Sequence, residues 1–154
     1  MKKTLIIGCS ILAGLALIGV IVVVVLVAYF AQDPKGVAVH LEGGTEAQVG
    51  KEFELVVKVT NQRSSKSFKL SDIDIHEEYM KGFVVVGTDP EAKASTHVPL
   101  ANIRSFTFDL TIPANQSQEF KFKLRPRETG FFKGEVDIGE GGRTITTTAE
   151  TEVK

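Results

Sequence analysis

Cysteine and tryptophan are nearly missing from this chain of 154 residues, which has one Cys, Cys9, and no Trp. Past residue 36 there is no cysteine at all. A folded domain there must stand on its hydrophobic core, and the paired cysteines of antibody-type domains are excluded. The same stretch has a single Tyr, Tyr79, so flat rings for stacking a sugar are scarce. A basic excess is missing too. All 19 acidic residues and 16 of the 18 basic ones follow residue 31, giving that part a formal charge of −3. Phosphate binding needs a basic surface, so no nucleic-acid partner is expected.

Motif chemistry is equally sparse. No G-x-S-x-G elbow, H-E-x-x-H pair or D-x-D-x-D-G loop occurs, and His40, His76 and His97 are scattered. Gly43-Gly44 and Gly141-Gly142 lack a following Lys-Ser/Thr and a helix, so they read as turns and not as phosphate cradles. No catalytic, metal or cofactor residue is assigned, and no cofactor is expected. The densest titratable cluster is His76-Glu77-Glu78, with Asp72 and Asp74 before it on one face of a strand. A solvated strand face is the plain reading; a calcium site or an enzyme built on His76 is the other.

What is present begins with an uncharged run of 27 residues from Leu5 to Ala31, between Lys3 and Asp33. A bilayer core of about 30 Å needs roughly 20 helical residues. Val20 to Val27 reads VIVVVVLV, a strand former in water, but a lone segment in lipid must satisfy its backbone as a helix. Lys2 and Lys3 at one end, with Tyr29 and Phe30 at the other, predict a signal anchor with the N-terminus cytoplasmic. A cleaved signal peptide fits less well: the run is too long, and cuts after Ala31 or Ala28 put bulky Tyr29 or Leu26 three positions back. Cys9 follows Ile6-Ile7-Gly8 in lipobox fashion, but most of the span comes after it, so it reads as a buried thiol. Cys9 with Ala13 and Ser10 with Gly14 are small-residue pairs that let helices approach. The expected organisation is a cytoplasmic stub at 1–4, a transmembrane anchor at 5–31, a linker at 32–36 and one extracytoplasmic domain at 37–154.

Period-two alternation dominates that domain. It runs through Val37 to Leu41, Phe53 to Val59, Ile73 and Ile75, Phe83 to Val86, Phe106 to Ile112, Phe120 to Leu124, Phe132 to Ile138 and Ile145 to Val153. Pro113 to Gln116, Pro126 to Gly130 and Gly139 to Gly142 supply turns, and Glu77 to Lys81 has room for one helical turn. About eight short strands predict an all-β protein, an Ig-like antiparallel β-sandwich after one N-terminal transmembrane helix. The Thr-rich last strand suits an edge. Asn115-Gln116-Ser117 is a glycosylation sequon in a turn.

If each strand reverses the one before, loops 61–69, 89–103 and 126–130 and the C-terminus share the membrane-proximal end. Arg63, Lys66, Lys69 and Arg127 would then contact anionic headgroups, each basic residue near the surface contributing about 1 kcal/mol. Glu140 and Arg143 would lie at the far end. The longest loop, Asp89 to Ile103, is the expected recognition loop, with His97 and Leu100 exposed; the alternative is a crossover with Val98 and Leu100 in the core.

Certain segments carry a family likeness: Val57-Lys58-Val59-Thr60-Asn61, then Ile112-Pro113-Ala114 with Phe120-Lys121-Phe122-Lys123-Leu124, and Gly130-Phe131-Phe132-Lys133-Gly134. With these, the domain resembles bacterial Ig-like modules of the cell-adhesion-related (CARDB) kind. With its anchor, the chain resembles short single-pass proteins of planctomycete-type bacteria. Plant water-stress domains share a V-x-V-x-N strand but have Pro next, where Gln62 stands here. The CARDB resemblance implies the fold, no activity and no functional residues. The expected partners are the lipid bilayer and another envelope protein, and the expected role is a non-catalytic tethered interaction or assembly module. A receptor for carbohydrate or small ligands is the second reading, and a hydrolytic or metal-dependent enzyme the third.

Overall fold

The computed structural model describes residues 18–27 and 34–154. Residues 18–27 form a helix, α1, with exposed side chains. No helix among the described residues is long and apolar enough to cross a membrane. The remainder of the expected 5–31 span, Cys9 included, lies outside the described residues, as do the expected stub at 1–4 and positions 32–33.

Pro34–Lys154 form a compact unit. Its strands are β1 (Val37–Glu42), β2 (Glu46–Ala47), β3 (Phe53–Asn61), β4 (Phe68–His76), β5 (Phe83–Asp89), β6 (Ala94–Val98), β7 (Ile103–Ile112), β8 (Gln116–Pro126), β9 (Gly130–Glu140) and β10 (Arg143–Val153). One helical turn, α2 (Glu77–Met80), follows β4. The strands form two sheets, ordered β1-β3-β8-β5 and β2-β10-β9-β4-β7-β6. All eight expected strands are present, and β2 and β6 add to them. Every pairing is antiparallel except that of β2 with β10, so the sandwich is not purely antiparallel.

Alternation explains the core. Leu55, Val57 and Val59 of β3 and Phe120, Phe122 and Leu124 of β8 are all buried, in a register that sets Leu55 opposite Phe122 and Val57 opposite Phe120. Phe106 and Phe108 come from the facing sheet, with ring centroids 5.0 Å from Phe122 and 4.8 Å from Phe120, each edge to face. Burying a Phe contributes about 1.5–3 kcal/mol, and such ring pairs about 0.5–1.5 more. A second aromatic group closes one end of the sandwich, where Phe83 meets Tyr79 at 4.9 Å, Phe132 at 5.1 Å and Phe53 at 5.4 Å. Gly82 makes this closure possible: a Cβ there would come within 2.4 Å of the Phe132 ring. The β9–β10 hairpin turns on Gly141 and Gly142, both at positive φ as that tight turn requires.

The registers fix which loops share an end. Val37 pairs with Asn61, so the chain enters the unit beside the turn at 62–67. Gln62 N donates to Gly36 O, and Arg63 Nε to Lys35 O, so Lys35 and Gly36 are bonded to the domain. The 126–130 turn lies at the opposite end, where Arg127 N donates to Gly82 O and Gly50 N to Pro126 O. The C-terminus is there too, with Lys154 O accepting from Val49 N. This corrects the expectation that loops 61–69, 89–103 and 126–130 share an end with the C-terminus. Strand β6 is the physical reason: it turns within the expected loop, reverses the direction of β7 to β10, and carries Arg127 away from Arg63, Lys66 and Lys69. Glu140 and Arg143 move the other way, to the end where the chain enters.

Candidate interaction surface

The expected recognition loop is mostly a strand. Lys93 N donates to Thr107 O, and β6 pairs with β7 from Ala94–Thr107 to Val98–Ile103. His97 therefore sits on an edge strand. Its Nδ1 lies 3.0 Å from Glu77 Oε1, which also faces Arg104 Nε at 3.4 Å. Leu100 stands on the next turn, fully exposed, which removes the reading that tucks it into the core. His97 and Leu100 thus lie in neighbouring but different elements, one side chain held and one free.

The six-stranded sheet carries the acidic cluster on its outer face. His76 Nε2 lies 3.6 Å from both Glu135 and Asp137, partners on β9 that sequence spacing cannot reveal. Asp74 is opposite Asp137 on one side and Ser105 on the other. Burial pushes its carboxyl above the usual carboxylate range; Ser105 and His76 oppose that shift, while Asp72 and Asp137 add to it. Among the described residues, no group of three or more His, Cys, Asp or Glu side chains is placed to hold a metal. Glu77 faces His97 and Arg104, away from this cluster. A hollow of about 390 Å³ beside His76 is lined by Glu78, Lys133, Gly134, Glu135 and Thr148. Tyr79, the sole tyrosine of the unit, is fully buried with its hydroxyl 2.8 Å from Thr151 Oγ1, so its ring is closed to a sugar.

At the end where the chain enters, Arg63 joins both sheets to the incoming segment. Its Nη1 and Nη2 donate to Glu140 Oε1 and Oε2 at 2.8 and 2.7 Å, its Nε to Lys35 O and its Nη1 also to Ser67 O. The guanidinium lies 5.5 Å from the Phe68 ring centroid. The hydrogen bonds from Arg63 hold the Glu140 carboxyl below its usual range, against the opposing effect of burial. Fully buried Asn61 completes the anchor: its Nδ2 donates to Lys66 O, Ile112 O and Pro113 O, and its Oδ1 accepts from Arg63 N. Of the expected headgroup contacts, Lys66 and Lys69 are exposed here with Lys35, whereas Arg63 is tied inward.

The open backbone lies elsewhere. β10 pairs with β9 over its whole length without a register break. On its other side only Glu152 and Val153 are covered, by the two residues of β2. Thr144 to Glu150 therefore line a free edge among the described residues, as the Thr-rich sequence predicts.

Structural comparison gives the fold its relatives. A cohesin module from a Clostridium perfringens family 33 glycoside hydrolase superposes with a TM-score of 0.58 at 14% identity, over 79% of this chain and 98% of that one. The CARDB domain of a Pyrococcus furiosus protein, solved in complex with di-metal ions, does so with a TM-score of 0.50 at 12% identity, over 77% and 87%. AvmM, which catalyses macrocyclization in alchivemycin A biosynthesis, gives 0.51 at 10%, over 78% and 89%. At such identities the likeness is one of fold, an Ig-like β-sandwich. No family model matches the sequence, and neither does any curated protein.

Proposed function

We propose that this chain is a non-catalytic interaction module, tethered by its 5–31 run to a membrane and displayed on the extracytoplasmic side. The observation that carries this reading is the long free edge of β10, a row of backbone donors and acceptors to which another chain can add a strand. CARDB and cohesin modules among the structural neighbours support it at the level of fold. Exposed Lys35, Lys66 and Lys69, where the chain enters the unit, are the side chains we assign to anionic headgroups.

The test uses the full-length chain in its native membrane. A photo-reactive side chain at Thr146, on the free edge, is compared with one at exposed Lys123 on the other sheet. The expected result is a chain that resists carbonate extraction and forms a discrete adduct from Thr146 alone. Release by carbonate removes the tether from the reading. Equal, diffuse adducts from both positions remove the edge.

A further inference from the structure

Resting on the reading of β10 as a docking edge, we infer that its occupant is β10 of a second copy, running antiparallel across a two-fold axis at Thr147. Backbone polarity comes first. Glu152 N donates to Thr45 O and Lys154 N to Ala47 O, so even-numbered residues turn their N–H and C=O groups away from β9. With the register unbroken, Thr144, Thr146, Thr148 and Glu150 do the same, and their side chains are the exposed ones. The remaining free strands are shorter or interrupted: β1 has six residues and β6 five, and β5 has a register shift between Val85 and Gly87. β10 has eleven residues and no proline, lysine or bulge, the features that normally keep an edge from pairing.

The ends of the free stretch set the register of a self-pairing. Gly142 of the hairpin turn bounds it on one side and β2-covered Glu152 on the other, so its midpoint is Thr147. Reversed about that point, Thr144 to Glu150 of one copy lie against Glu150 to Thr144 of the second. Thr144 then faces Glu150 of the second copy, and Thr146 faces Thr148. Each facing pair of outward residues exchanges two hydrogen bonds. Toward the core, half-buried Ile145 faces the small Ala149, a large-to-small fit. No like charges come opposite, and Glu150 already has Lys133 Nζ at 2.7 Å. Because the contact is isologous it closes at two copies, joining two six-stranded sheets into one.

Directed cross-linking of the full chain in membranes tests this, with Cys9→Ser giving a cysteine-free background. Thr147→Cys should form a disulfide dimer on mild oxidation, because a facing non-hydrogen-bonded pair sits about 4.5 Å apart between Cα atoms. Thr146→Cys alone should not, since its own copy lies about 7–8 Å away along the diagonal, whereas Thr146→Cys mixed with Thr148→Cys should. Thr146→Pro deletes an outward N–H and leaves the β9 ladder intact. It should lower the dimer fraction at least about tenfold with little change in melting temperature. Thr146→Lys serves as the second variant should the proline disturb folding. Absence of the Thr147 disulfide, or equal cross-linking at 146 and 147, overturns the two-fold. If the self-contact fails while the Thr146 photo-probe still captures a different protein, the docking edge stands and self-pairing falls. If neither forms, both fall.

Discussion

Replacing Arg63 with Ala removes two hydrogen bonds to Glu140, two to backbone carbonyls and the stacking over Phe68 in one step. Both side chains of the ion pair are close to nine-tenths buried, with 12% and 11% exposure. Breaking a buried pair by removing one partner costs about 3–5 kcal/mol. Glu140 keeps Arg143 Nη2 at 3.0 Å and Lys69 N at 3.4 Å, so the lower end applies: about 3 kcal/mol, or a fall in melting temperature of roughly 10–15 °C for a unit of this size. Glu140→Ala leaves the guanidinium its two carbonyl acceptors and should cost about 2–3 kcal/mol. Arg63→Ala with Glu140→Ala leaves no orphaned charge, so the double variant should lose less than the singles combined, with a coupling of about 2–3 kcal/mol. Thermal and urea unfolding of the four proteins measures this cycle. Glu140 also predicts the acid limb. Its carboxyl is depressed in the folded state, so its contribution is complete above the ordinary value of 4.5 and is lost as pH falls through the folded value. Arg63→Ala should flatten that loss. Strictly additive costs, or an unchanged acid limb, would refute the claim that this pair fastens the two sheets to the incoming segment.

Further outcomes follow from other contacts. Tyr79→Phe should cost about 1–2 kcal/mol by orphaning the buried Thr151 hydroxyl, and adding Thr151→Val should restore part of it, as urea melts would show. Burial pushes the Tyr79 phenol up to about 12; raised above its unfolded value of 10.0, it should withdraw stability between about pH 10 and 12, and Tyr79→Phe should abolish that slope. Gly82→Ala drives a methyl into the Phe132 ring and should lower stability by about 1–3 kcal/mol, with Phe132→Leu relieving part of the loss. Asp74→Asn should raise the melting temperature at neutral pH, because burial and two neighbouring carboxylates penalise the charge. The advantage should shrink on acidification, since a raised folded value means the native carboxyl binds its proton first.

Period-two parity made most of the fold legible. The inward series of β3, β7 and β8 is the buried series, and Gly141-Gly142 turns where such a turn was expected. Parity also carries a signal that belongs to no motif. Phe132, Gly134, Val136, Ile138 and Glu140 share one face of β9, so Glu140 ends a core-facing series and needs a buried cation. The partner itself was not legible, because Arg63 is 77 residues away, in the turn between β3 and β4. The acidic cluster was half legible: spacing grouped Asp72, Asp74 and His76, but Glu135 and Asp137 join them only through the β4–β9 pairing, and Glu77 leaves them because α2 turns it toward Arg104.

Strand direction was the quantity that alternation could not supply. A strand's faces follow from its own residues, whereas its direction depends on how many strands precede it. One missed strand therefore inverts everything downstream. Ala94-Ser95-Thr96-His97-Val98 has no apolar alternation because its side chains are nearly all exposed, which makes it invisible to a hydrophobic pattern though it is fully paired on one side. Its reversal of β7 to β10 has a physical consequence for function. It brings Glu140 to the end where the chain enters, making the bond to Arg63, and sends the C-terminus to the opposite end, where Lys154 and Glu152 hold β2. The covered residues of β10 therefore lie far from the incoming segment, and its free stretch runs along the side of the sandwich between the two ends. An edge placed there can receive another strand without displacing either the anchor built on Arg63 and Asn61 or the aromatic closure around Phe83.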